Sequence, residues 1–97
     1  MERYIVLAKF TDQGIKDIKN APKRIDGAAK LAEALGGKLI DFYLVMGEYD
    51  YVLVVDVPNA EVLTAGMLTI GAMGNVRTTT LRALSKDQFV KIIKKMP

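Results

Sequence analysis

The sequence predicts an α+β domain of ferredoxin-like type, in the order β-α-β-β-α-β with an extra C-terminal helix. Three observations predict it. Four runs rich in β-branched and aromatic residues span 3–10, 38–46, 51–57 and 76–84, each bounded by Gly, Pro, Asn, Asp or Ser. Helical apolar spacing fills the gaps after the first and third runs. Two β-α-β units in tandem are the split pattern of ferredoxin-like folds.

The elements follow in chain order. Residues 3–10 form the first strand, and Thr11-Asp12-Gln13-Gly14 stops it. Thr11 or Asp12 caps a short helical turn over 14–20. Pro22 suits the first turn of a second helix. Ile25, Ala28, Ala29, Leu31, Ala32 and Leu35 mark its apolar stripe, and Gly36-Gly37 ends it. In the second strand Ile40, Phe42 and Leu44 point one way. Leu39, Tyr43 and Val45 point the other, with Asp41 the polar exception. Gly47-Glu48-Tyr49-Asp50 turns the chain into the third strand, where Tyr51, Leu53, Val55 and Val57 oppose Val52, Val54 and Asp56. Asn59 caps a helix over 60–73, whose small residues allow close approach to the sheet. After the fourth strand, Ser85 caps a last helix with Phe89, Ile92 and Ile93 as its inner face.

Strands that are apolar on both faces are buried on both faces. Helices cover only one face of this fold, so the other needs a second cover. Two such sheets packed face to face make a dimeric α/β barrel, with space for a small molecule between them. Composition agrees. Ninety-seven residues fit one domain over 1–97, yet 51% are hydrophobic, which is much apolar surface for so small a chain. A homodimer or higher homo-oligomer is therefore the expected state.

The chain has no Cys and no His. Disulfides, thiolate metal sites, Ser-His and Cys-His catalysis and His-metal chemistry are excluded, and no cofactor is expected. No apolar run reaches the 18 or so residues of a membrane span, so a cytoplasmic protein without a membrane partner is expected. The net charge of +3 is concentrated in 76–97, which reads as the solvated face of the last helix.

The most distinctive segment is Gly47-Glu48-Tyr49-Asp50. One reading is a well-made hairpin, with Tyr49 and Tyr51 packing across strands and Asp50 folded back onto backbone amides. The other is the lip of a pocket, with Asp50 or Glu48 pairing an amine. Arg77 and Arg82 lie five residues apart on one strand and so point to opposite faces. The one facing the barrel would hold a carboxylate or phosphate, or both would form ion pairs with Asp41 or Asp56. Tyr4 and Tyr51 echo the base-stacking aromatics of RNA-recognition domains. Glu48 and Asp50 would repel phosphate, so nucleic acid is not expected as a partner. No spacing of carboxylates favours a metal site.

Gly47-Glu48-Tyr49-Asp50 followed by Tyr-Val-Leu-Val-Val resembles the GYD-domain family. The likeness extends through Phe10-Thr-Asp-Gln-Gly-Ile-Lys, Leu35-Gly-Gly-Lys and Gly74-Asn-Val-Arg-Thr-Thr-Thr-Leu-Arg-Ala. It implies a ferredoxin-like, dimeric α/β-barrel fold. The segments from Gly47 and from Gly74 are also similar to the effector-binding domain of Lrp/AsnC-type regulators. That resemblance implies amino-acid binding between subunits, with Gly47 and Asp50 forming the loop and Thr79 or Thr80 supplying hydroxyls. This chain departs from those regulators in lacking a helix-turn-helix segment and in carrying an extra C-terminal helix. The expected ligand-binding residues are Gly47, Glu48, Tyr49, Asp50, Arg77, Thr79, Thr80 and Arg82, with no catalytic or metal residue. The expected function is a small-ligand-binding oligomer, an amino-acid or small-carboxylate sensor or accessory protein. The alternatives are a cofactor-free oxygenase or isomerase, by analogy of fold, and a purely structural or interaction module.

Overall fold

Strand β1 (Glu2–Phe10) lies at the centre of the molecule, paired on both edges. The computed structural model describes residues 1–97. After β1 come α1 (Asp12–Lys16), a 3₁₀ turn (Ile18–Asn20), α2 (Ala21–Ala34) and β2 (Lys38–Leu44). Then follow β3 (Tyr51–Val57), α3 (Ala60–Ala72), β4 (Val76–Ala83) and α4 (Lys86–Lys94). The antiparallel sheet has the order β2-β3-β1-β4, as the split β-α-β pattern requires.

Alternation along the strands sorts residues between the two faces. Tyr4, Val6 and Ala8 pair with Val55, Leu53 and Tyr51 across one ladder, and with Arg82, Thr80 and Thr78 across the other. The core gathers on this side, where Leu63 of α3 and the half-buried Ile25 of α2 pack on the strands. The opposite face carries Ile5, Leu7, Val52, Val54, Tyr43 and Leu81, and none of its residues is buried. It is the open face of the sheet.

Local chemistry sets the helix starts. The Thr11 side chain accepts a hydrogen bond from Gly14 N, and Asn59 accepts one from Val62 N. Ser85 and Gln88 form a reciprocal capping box at α4.

Three expectations need correction. First, the faces of β2 are not simply alternating. Leu39 pairs with Val55 and Asp41 with Val54, so Ile40 is an extra residue in a β-bulge. The bulge puts Leu39 on the same side as Phe42 and Leu44. Second, β2 stops at Leu44, and the link to β3 is a six-residue loop, 45–50, closed by a hydrogen bond from Val45 N to Asp50 O. Third, α4 has no inner face within the protomer. None of its residues is buried, and Phe89 is 58% exposed.

Candidate functional site

Three segments far apart in the chain meet at the end of the sheet where β1 stops and β3 and β4 start. Asp50 joins the first two. Its Oδ2 accepts a hydrogen bond from Phe10 N at 2.8 Å, and its own N–H donates to Ala8 O at 2.8 Å. The carboxylate thus extends the β1–β3 ladder past Tyr51 and receives a backbone donor that would otherwise be orphaned. Thr11 joins β1 to the third segment. Its N–H donates to Asn75 O at 3.0 Å, and its hydroxyl donates to Gly74 O at 2.6 Å. Gln13 Nε2 donates to Met73 O and to Asn75 Oδ1, both at 3.0 Å. Gly14 is needed for this approach, because a Cβ there would lie 2.0 Å from Asn75 O.

The loop tip is solvated. Gly47 has φ +116°, a conformation that side chains disfavour, and open space surrounds it. Glu48 Oε1 lies 3.8 Å from Lys9 Nζ, which sits 5.3 Å from the centre of the Tyr49 ring. Across the β1–β4 ladder Lys9 faces Arg77, so two exposed cations stand side by side on the open face. Thr79 lies two residues further along β4 on the same face, opposite Leu7.

The other two expected residues lie elsewhere. Thr80 pairs with Val6 on the helix side, near Tyr4 and Leu63. Arg82 pairs with Tyr4, six positions along β1 from Phe10, or about 20 Å at roughly 3.3 Å per residue. Its guanidinium stands 5.4 Å from the centre of the Tyr4 ring and donates to the carbonyls of Arg3 and Ala83. Arg77 and Arg82 do point to opposite faces, but neither makes an ion pair with Asp41 or Asp56. The partner of Asp56 is Arg3, through paired hydrogen bonds of 2.8 and 3.0 Å on the open face. Those bonds hold the Asp56 carboxyl below the ordinary carboxylate range.

Tyr4 and Tyr51 are buried on the helix side, so neither presents a ring on the open face for a base to stack on. Lys9 and Arg3 escaped the sequence reading. The period of two along β1 was the signal for them, since it places both on the face of Ile5 and Leu7. No helix is long and apolar enough to cross a membrane.

A four-stranded antiparallel sheet with helices on one face and an open second face is a ferredoxin-like α+β domain of the kind found in Lrp/AsnC-type effector-binding domains. The GYD domain model matches residues 4–93, and the chain belongs to the GYD domain family. A Thermus thermophilus protein named glutamine synthetase and cystathionine beta-lyase binding protein is 32% identical over 95 residues, covering 97% of this chain and 100% of that one. The feast or famine regulatory protein of M. tuberculosis, solved with L-methionine, superposes with a TM-score of 0.67 at 26% identity. That match covers 89% of this chain and 52% of the regulator, so the chain spans about half the regulator's length. A Thermus thermophilus protein of known structure shares the fold, with a TM-score of 0.56 at 24% identity over 88% of this chain and 95% of that one.

Proposed function

We propose that this chain is a homo-oligomeric accessory domain that holds an amino acid or small carboxylate at the rim formed by Lys9, Gly47–Asp50 and Arg77. The observation that carries this reading is the side-by-side pair Lys9 and Arg77 on the open face. Like charges directly opposite across strands destabilise a sheet, and an anion between them removes the repulsion. Glu48 is placed to take an ammonium group, Tyr49 to form a wall, and Thr79 to offer a hydroxyl. Asp50 shapes the loop by holding Phe10 through Oδ2, and its second carboxylate oxygen can join Glu48 in pairing an amine. Thr80 and Arg82 lie outside this site. The regulator solved with L-methionine supports the ligand class.

A second copy is the natural cover for Ile5, Leu7, Val52, Val54 and Leu81. Packing two open faces together encloses the rim residues and strengthens their hold on a charged ligand. The thermal-shift response to a panel of L-amino acids and small carboxylates tests the ligand reading, since binding to the native state raises its melting temperature. At least one member should raise it, and Lys9→Ala with Arg77→Ala should remove the response. A flat response across the panel would overturn the ligand reading.

A second reading, docking onto a metabolic enzyme, is favoured by the exposed Leu44 and Met46 beside edge strand β2. The name of the Thermus relative supports it. Co-sedimentation with purified glutamine synthetase is the test, and Met46→Glu should weaken the complex.

A further inference from the structure

The helix side of the sheet holds a cleft that the rim does not use. It opens between α2 and α3 over the start of β3, with a volume of ≈ 190 Å³. Its walls are mainly apolar, with Leu31, Ile70 and Met73 among them. Small residues keep it open. Gly27 stands at its edge, and a Cβ there would touch nothing within 4 Å. At about 30 Å³ per water, the space equals roughly six waters, the size of a short aliphatic or aromatic acid.

Two polar groups converge on this apolar space. Tyr51 is only 5% exposed, and its ring is packed between Phe10 and Phe42. Its hydroxyl makes no hydrogen bond to the protein. No fully enclosed polar side-chain atom lacks a partner, so that hydroxyl is not sealed off; Tyr51 lines this cleft together with Arg24, and also the space beside Phe10 and Phe42. Buried tyrosines ordinarily find a partner for the hydroxyl, and here the protein supplies none, which leaves the bond to whatever occupies the cleft. Arg24 is the second group. Asp17 O accepts from it at 3.0 Å, Gly14 O at 3.1 Å and the Asp17 carboxylate at 3.3 Å, which fixes the guanidinium while leaving some of its five N–H groups free for a second carboxylate. Burial pushes the Tyr51 hydroxyl up from its ordinary pKa, and the nearby charge of Arg24 draws it part of the way back. No carboxylate lines the cleft. The cleft therefore offers Tyr51 and Arg24 as donors beside an apolar wall, with Thr69 and Asn75 as its other polar lining.

We propose that the cleft between α2 and α3 is a second ligand site, which takes a monocarboxylate with a short apolar tail. The carboxylate accepts hydrogen bonds from the Tyr51 hydroxyl and the Arg24 guanidinium, and the tail lies against Leu31, Ile70 and Met73. The site lies on the opposite side of the sheet from the Lys9–Arg77 rim, so each can fail without the other.

The experiment is methyl-detected NMR titration of the full chain with 4-methylpentanoate, with 4-methylpentanol as the uncharged control. The acid should bind saturably and shift the methyl signals of Leu31, Ile70 and Met73, and the alcohol should bind at least 10-fold more weakly. Tyr51→Phe keeps the ring packing and removes only the hydroxyl. It should leave the melting temperature of the free protein unchanged or higher, while weakening the acid by about 10-fold, as loss of a hydrogen bond to a charged group does. Gly27→Leu, which meets no atom on the backbone side, should fold and block the cleft. Lys9→Ala should leave this binding unchanged. The proposal is overturned if the acid does not saturate or if the alcohol binds equally well. Undiminished binding to both Tyr51→Phe and Gly27→Leu, or shifts centred on the Leu7 and Thr79 methyls beside the rim, would also overturn it.

Discussion

Asp50 shows how a distinctive residue can be structural. Its carboxylate receives Phe10 N at 2.8 Å, a charge-assisted bond that ties the 45–50 loop to the end of β1. Asp50→Ala should therefore lower stability by about 1–3 kcal/mol in urea unfolding. A neutral result would mean that the bond is not held in solution. Asp56 makes a different prediction. Arg3 depresses its pKa in the folded state, so its stabilising effect is complete above the ordinary carboxylate range. That effect is lost as pH falls through the lowered folded value. Asp56→Asn should flatten the fall in melting temperature below about pH 4, where carboxylates take up protons. The pair is partly exposed, and salt should weaken the difference.

At the scale of elements, the junction of α1 with the α3–β4 link sets the end of the sheet on which the rim stands. The helix comes so close that Gly14 has no room for a Cβ beside Asn75 O. Gly14→Ala should push α1 outward and cost about 1–3 kcal/mol, the usual range for overpacking a tight site. Urea denaturation reads the loss, and an unchanged midpoint would count against the close contact. The elements also show where pattern reading succeeds and fails. Strands β1 and β3 were legible because their periods of two run unbroken. β2 was misread past Leu39 because Ile40 is a bulge, and one extra residue inverts every later side chain. The stripe on α4 was legible as a stripe, yet Phe89, Ile92 and Ile93 remain exposed, because periodicity says that a face is apolar and not what it meets.

For the whole molecule, the main feature is an apolar sheet face with no cover of its own. Val54 and Leu7 lie near the middle of that face, paired through β1 and β3. Val54→Lys should leave the helix-side core intact and shift the proposed oligomer to monomer, as measured by light scattering at micromolar concentration. A wild-type protein already monomeric there would overturn the face-to-face arrangement. The exposed stripe of α4 is further apolar surface that the protomer leaves uncovered.

The sequence by itself determined the order of elements, the two-faced pattern of β3 and the family, since hydrophobic period, caps and turn residues act over a few neighbours. It also marked Gly47–Asp50 as the place where the chain must turn. Only the tertiary structure decided what that loop does. It placed Asp50 on Phe10, set Lys9 beside Arg77 and carried Arg82 about 20 Å away along the strand. It also set the buried Tyr51 in the wall of a cleft between two helices. The reason is physical: pairing register and helix packing bring together residues forty or more positions apart, such as Phe10 and Asp50, and no local pattern along the chain encodes those distances.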